Sequence, residues 1–296
     1  MDRSSTVPRT MNECPSRARK VLPEVTITSP SPTSRTTRTG DRKLDTRPFV
    51  VVPCHNEERR LDADRLLELV DSGSTRVLFV DDGSTDATAA VLGRVAASSL
   101  DVDVLQLARN HGKAEAIRQG LLRGFDEGAA IVGYLDADLA TPPQEFLRLV
   151  ALLQSRDDLD CVLAARVALL GRRIRRRAHR HYLGRVFATL ASIILRIPVY
   201  DTQCGAKAFR ASPALREAIA VPFRSSWVFD VELIGRLLRG SPKAPPVPLA
   251  AFEEMPLREW RDVSGSSLRV RDMARAFVDL MAVGYRLERS RPVRKV

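Results

Sequence analysis

From Phe49 onward, short apolar runs alternate with stretches of helical period, and this alternation constrains the fold more than any single residue does. Phe49-Val50-Val51-Val52, closed by Pro53, has no polar face, as a strand buried on both sides requires. Leu61, Leu66, Leu67, Leu69 and Val70 then recur at helical spacing. The pair repeats as a strand at 77–80 with a helix at 86–97, and again as a strand at 102–107 with a helix at 113–123. A strand at 131–135, a helix opened by Pro142 and Pro143, and a strand at 161–164 complete the series. Strands and helices in this order predict an α/β fold, a Rossmann-like, mostly parallel sheet flanked by helices. After Arg166 helical segments dominate, and the second half is expected to complete the sheet. Residues 1–46, rich in Ser, Thr, Pro, Arg and Lys, predict a disordered basic tail; 47–285 are the expected domain and 286–296 a short basic tail.

Composition removes several function classes. The net charge of +11 favours anionic partners, namely phosphates, nucleotides, acidic lipid or nucleic acid. Aromatics at 5% are too sparse for a base-stacking platform and no binding module is recognisable, so nucleic acid is not the expected partner. Cys14, Cys54, Cys161 and Cys204 form no Cys-x-x-Cys pair, which argues against structural zinc and for a reducing compartment. Neither G-x-G-x-x-G nor a Walker A sequence occurs, so a dinucleotide dehydrogenase and a P-loop NTPase are excluded. The longest apolar stretch, 186–195, is shorter than the roughly 20 residues needed to span a bilayer, and the protein is expected to be cytoplasmic, soluble or peripheral.

Acidic turns follow two of the strands. Asp81-Asp82-Gly83-Ser84-Thr85-Asp86 could bind a nucleobase and ribose, or could be a turn capping the next helix. Asp136-Ala137-Asp138 places two carboxylates on one side of the chain, where both can reach one divalent cation; hard oxygen ligands with no Cys or His nearby select Mg²⁺ or Mn²⁺. Open α/β sheets hold ligands beside the carboxyl ends of their strands, where both turns lie. Pro53-Cys54-His55-Asn56-Glu57-Glu58 follows the first strand; Asn56 and Glu58 suit a base and ribose, and equally suit helix capping. Lys113 opens a helix and makes a local anion site, or is a solvated lysine.

In this order, at the ends of successive strands, the motifs resemble those of family 2 glycosyltransferases with the nucleotide-diphospho-sugar transferase (GT-A) fold, over residues 48–285. Tyr200-Asp201-Thr202-Gln203-Cys204-Gly205-Ala206-Lys207-Ala208-Phe209 and Trp227-Val228-Phe229-Asp230-Val231-Glu232-Leu233 resemble the dolichyl-phosphate β-glucosyltransferase and polyprenyl-phosphate glycosyltransferase branch. The resemblance implies an inverting, metal-dependent hexosyltransferase using a UDP-sugar donor and a polyprenyl phosphate, with a soluble small-molecule acceptor as the alternative. It places Pro53, Asn56, Glu58 and Asp82 on the uridine, Lys113 in the loop closing over it, and Asp136 with Asp138 on the metal and donor diphosphate. Arg166 would face a phosphate, Gln203, Gly205 and Lys207 the acceptor, and Trp227 the sugar pocket, with Asp230 as the candidate base. The chain departs from the pattern at Ala114-Glu115, at Ala164-Ala165-Arg166, and at Ser264-Gly265-Ser266-Ser267-Leu268, where relatives tend to carry a Ser-Lys pair.

Between Arg166 and Arg185 lie six further arginines and two histidines. The run reads as a solvated face, a nucleic-acid contact, or a site of attraction to an anionic membrane with 187–197 in the interface; the last is the expectation carried forward.

Overall fold

The computed structural model describes residues 45–71, 73–175, 178–263 and 270–289. The expected basic tail up to residue 44, the segment 264–269 and residues 290–296 lie outside the described residues.

Seven strands of five or six residues form the main sheet. The chain runs β1 (Phe49–Cys54), α1 (Ala63–Leu67), β2 (Arg76–Asp81), α2 (Thr88–Ser98), β3 (Val102–Gln106), α3 (Lys113–Asp126), β4 (Ile131–Leu135), α4 (Pro143–Ser155) and β5 (Cys161–Ala165). It continues through β6 (Arg173–Arg175), α5 (Ala178–Leu195), β7 (Ala206–Arg210), α6 (Pro213–Ala218), α7 (Phe229–Arg239), β8 (Phe252–Pro256), β9 (Glu259–Arg261) and α8 (Val270–Arg289). The sheet order is β3-β2-β1-β4-β7-β5-β8, with β6 and β9 paired separately. Strands β1 to β4 pair in parallel, β7 is antiparallel to both β4 and β5, and β8 returns parallel to β5.

The strands read as continuously apolar because both faces are covered. Val51, Leu78 and Val80 belong to a core shared with α3, α5, α7 and α8, whereas Val50, Val52 and Phe79 belong to the core under α1, α2 and α4. The winding leaves β1 toward β2 and β3 and resumes on its other side at β4, so the switch point lies between the carboxyl ends of β1 and β4.

Three expectations change. The first helix is five residues long, capped by the Asp62 carboxylate accepting the Arg65 N–H. Helix α8 runs on to Arg289, past the boundary expected at residue 285. The apolar stretch 187–197 does not lie as one piece on the surface. Ala188, Ala191 and Leu195 are buried, and Ile193 faces outward. The division follows helical period: a helix resting on a core must turn half its apolar residues inward.

Helix α7 has an almost wholly buried sequence, including Asp230 and Glu232. Its Gly235 lets α5 and α8 settle on it: a Cβ there would stand 2.4 Å from Leu287 Cδ1 and 3.2 Å from Leu195 Cδ2.

Candidate active site

Strand β4 ends at Leu135, and the chain turns at once so that the Asp136 N–H donates to the Gly205 carbonyl at 2.9 Å. Ala137 is buried, Asp136 and Asp138 stay partly exposed, and Leu139 adopts a left-handed φ of 51°. The alternation expected of Asp-x-Asp is therefore present. Gly205 backs the pair so closely that a Cβ would lie 2.2 Å from Asp136 Oδ2, a place no other residue type could occupy without displacing the carboxylate. Asp138 accepts the Ala140 N–H at 3.0 Å, and its carboxyl is held above the usual range by burial and then by the charge of Asp136. Lys113 forms an ion pair with Asp136 at 2.6 Å. Desolvation opposes its charge, and Asp136 more than offsets that, so the ammonium sits above the ordinary lysine value.

The position of Lys113 depends on Asp82. The two carboxylate oxygens of Asp82 accept the N–H groups of His111 and Gly112, at 2.8 and 2.7 Å, just before α3 begins. Asp81 turns back on its own loop and accepts the Ser84 N–H. Asn56, with a left-handed φ of 54°, accepts the Thr85 N–H at 2.8 Å; Glu58 accepts the Ala87 N–H at 3.3 Å. These side chains stitch the β1 and β2 loops together. Asn56 does not cap α1, and Glu58 serves the start of α2 instead.

Beneath the acidic turn lies a second cluster. Lys207 is fully buried, and its Nζ meets Asp230 Oδ1 at 2.7 Å and the Cys204 carbonyl at 2.8 Å. The Tyr134 hydroxyl also donates to Asp230 Oδ1. Burial, reinforced by the Asp230 charge, pushes the Tyr134 phenol well above its usual value. Lys207 was expected to contact the acceptor. Its place on β7, opposite Tyr134 of β4 and Leu163 of β5, turns the side chain into the floor, where it neutralises Asp230.

A cavity of about 540 Å³ opens at this point. It brings together Lys113, Asp136, Asp138, Arg166, Gln203, Gly205, Trp227 and Asp230. Pro53, Asn56, Glu58 and Asp82 lie outside its walls, at the ends of β1 and β2. Arg166 reaches the cavity already gripped by Asp201 through two bonds of 2.6 and 2.8 Å; although burial opposes its charge, Asp201 raises its pKa above the ordinary arginine value. Gln203 Nε2 is buried without a hydrogen-bond partner. The opposite wall is apolar, built from Leu183, Phe187 and Ala188 of α5 and Ala276 and Phe277 of α8.

Arg185 was counted in the basic run but not as a site residue. Its guanidinium lies 3.8 Å from the centre of the Tyr200 ring and donates to the Tyr200 carbonyl, and both residues line the cavity. The signal was available: Arg185 ends the run and Tyr200 opens the motif that carries Gln203. Phe277 had no comparable signal, since it reaches the cavity from a helix with no motif of its own.

The model of the family described as glycosyl transferase family 2 matches residues 49–216. The chain belongs to glycosyl transferase family 2. It is 34% identical over 236 residues to the dolichyl-phosphate beta-glucosyltransferase of Drosophila melanogaster, covering 74% of this chain and 68% of that one. The enzyme of the same name from Homo sapiens is 32% identical over 243 residues, with the same coverage. Among solved structures, glucosyl-3-phosphoglycerate synthase from Mycobacterium tuberculosis, in complex with Mn²⁺, UDP and glucosyl-3-phosphoglycerate, superposes with a TM-score of 0.58. It is 21% identical and covers 85% of this chain and 82% of its own, which places the sheet and helices described above in the GT-A fold. The protein is a glycosyltransferase.

Proposed function

We propose that this glycosyltransferase moves glucose from UDP-glucose to the phosphate of a polyprenyl, dolichyl-type lipid, at the cytosolic face of a membrane. The observation that carries the reading is the two-sided cavity, acidic and cationic at its inner end and apolar between α5 and α8. A sugar diphosphate suits the first side, and an isoprenoid chain suits the second. The dolichyl-phosphate beta-glucosyltransferases of Drosophila melanogaster and Homo sapiens support the same substrate class.

Asp136 and Asp138 fit a divalent cation, Mg²⁺ or Mn²⁺. They are adjacent, mutually repulsive carboxylates, and Asp138 is already pushed toward its neutral form. Among the described residues no group of three or more acidic, His or Cys side chains could hold a metal. Donor phosphate oxygens would have to complete the shell, which is the usual habit of such cations. When bound, the cation neutralises charge on the departing diphosphate. The uridine is assigned to the crevice at the ends of β1 and β2, where Pro53, Asn56, Glu58 and Asp82 shape the loops.

The reaction is a single displacement with inversion. An acceptor phosphate oxygen forms a bond to the anomeric carbon while the bond to the UDP β-phosphate oxygen breaks. The acceptor is anionic at neutral pH, so positioning matters more than proton removal. Lys113, paired with Asp136, would steady the leaving phosphate, and Arg166, Arg185 and Gln203 on the cavity wall would meet the acceptor. Asp230, neutralised from below by Lys207 and hydrogen-bonded by the Tyr134 hydroxyl, orients rather than deprotonates.

The test is UDP release from UDP-glucose with Mg²⁺ or Mn²⁺, with and without a short polyprenyl phosphate. Release that needs both metal and lipid phosphate is the expected result. Metal-dependent nucleotide binding without lipid-stimulated turnover would overturn the acceptor and direct attention to soluble acceptors.

A further inference from the structure

Helices α5 and α8 run side by side in the same direction. Phe187 meets Phe277 with ring centroids 5.9 Å apart, Ile194 lies where a Cβ on Gly284 would touch it, and Arg196 pairs with Glu288 at 3.1 Å. Both helices rest on α7, through Leu195 and Leu287 at Gly235. Their inner faces are thereby occupied, and their outer faces turn the same way.

Those outer faces are apolar. On α5, Tyr182, Val186 and Ile193 are each more than half exposed; on α8, so are Val278, Met281 and Tyr285. The spacings of four and seven, and of three and four, each trace one helix face. Isolated exposed apolar residues need no explanation, whereas a stripe shared by two adjacent helices marks an interaction surface. No helix among the described residues is long and apolar enough to cross a membrane, so such a surface would lie on a bilayer rather than in it.

The charges around the stripe identify its partner. Arg275, Arg286 and Arg289 are exposed along α8, with Arg289 lying 4.8 Å from the centre of the Tyr285 ring. Glu288 is tied to Arg196, and Asp279 accepts the Ser225 hydroxyl at 2.6 Å. Apolar and aromatic residues flanked by arginine match the boundary between acyl chains and anionic headgroups. The stripe is also continuous with the site. Leu183, Phe187 and Phe277 on the cavity wall lie within a turn of Val186 and Val278 on the outer face.

We propose that the outer face formed by α5 and α8 is a docking surface for an anionic lipid bilayer, placed so that a lipid-borne acceptor enters the cavity from the membrane. The second clause rests on the polyprenyl-phosphate reading; the docking surface stands on the exposed stripe and its charge.

The test is sedimentation of the full chain with vesicles of phosphatidylcholine, alone or mixed with phosphatidylglycerol. Wild type should sediment with the mixed vesicles and weakly with the neutral ones. The pair Ile193→Glu and Met281→Glu should lower partitioning about tenfold or more, and Arg275→Gln with Arg289→Gln should reduce the preference for anionic lipid. Circular dichroism and turnover of a short, water-soluble isoprenyl phosphate should stay at wild-type levels in both variants. Wild type that ignores vesicles, or a Glu pair that binds them unchanged, would overturn the docking surface. So would a wild-type dimer that the Glu pair dissolves, because the stripe would then serve a second copy of the chain. Correct sedimentation with no turnover of any isoprenyl phosphate would leave the docking surface standing and overturn the acceptor assignment instead.

Discussion

Asp138 and Asp230 both border the cavity, yet their surroundings treat the negative charge in opposite ways. Asp138 has Asp136 for a neighbour and one backbone N–H for a partner, and burial holds its carboxyl above the usual range. Asp230 is more deeply buried, but a fully buried ammonium and a phenol both meet its Oδ1. The acidic turn after β4 is left electrostatically unfinished, with Lys113 as its one ion-pair partner among the described residues. The cluster beneath it is complete without a ligand. An unfinished site stores unfavourable energy that a bound cation relieves; a finished one holds the floor in place. The difference separates residues proposed to act on substrate from residues that position them.

The largest expected effect breaks the unfinished side. Asp136→Ala should cost turnover on the order of 10⁴-fold, about 5 to 6 kcal/mol of barrier, with little loss of thermal stability. A variant with near wild-type turnover would remove Asp136 from the metal site. Next in size, Lys207→Met strips the finished side and leaves Asp230 buried without its cation. Stability should fall by about 3 to 5 kcal/mol, read as a shift in the denaturant midpoint. By the same reasoning, Asp230→Asn strands the Lys207 ammonium, so any kinetic loss in that variant must be separated from a loss of folded protein. An unchanged midpoint in Lys207→Met would mean that the cluster is not a structural unit.

The smallest effect has the opposite sign. In protein stripped of metal by a chelator, Asp138→Asn should raise the melting temperature by about 2 °C. The sign follows from the raised pKa. A carboxyl raised above its ordinary 3.8 destabilises the fold once it ionises, so the penalty is absent at lower pH and grows as pH rises through the raised value. The gain from Asn should therefore be greatest at neutral pH and vanish below about pH 4. A gain independent of pH would assign it to packing.

Much of the parallel half was legible because its signals are local. The strand at 131–135 and the helix beginning at Lys113 start where periodicity placed them, and Asp136 and Asp138 follow their strand directly. Lys207 sits in the floor beside Asp230 for a reason of register that the sequence does not show. In β7 successive side chains alternate between faces, and the antiparallel pairing with β4 decides which face meets Tyr134. Asn56 and Glu58 carried two readings in the sequence, and their bonds to the β2–α2 loop show what holds them. The division of 187–197 into inner and outer faces required knowing that α7 lies beneath.

The sequence by itself determined the alternation of strands and helices, the strand ends at which acidic turns stand, and the spacing that brings Asp136 and Asp138 to one side, because backbone geometry sets these over a few residues. Only the tertiary structure decided which charges are compensated and which helix faces remain open. Lys207 and Asp230 lie 23 positions apart, and Phe187 and Phe277 90 apart, so their meeting depends on how strands and helices pack over distances that no local pattern encodes.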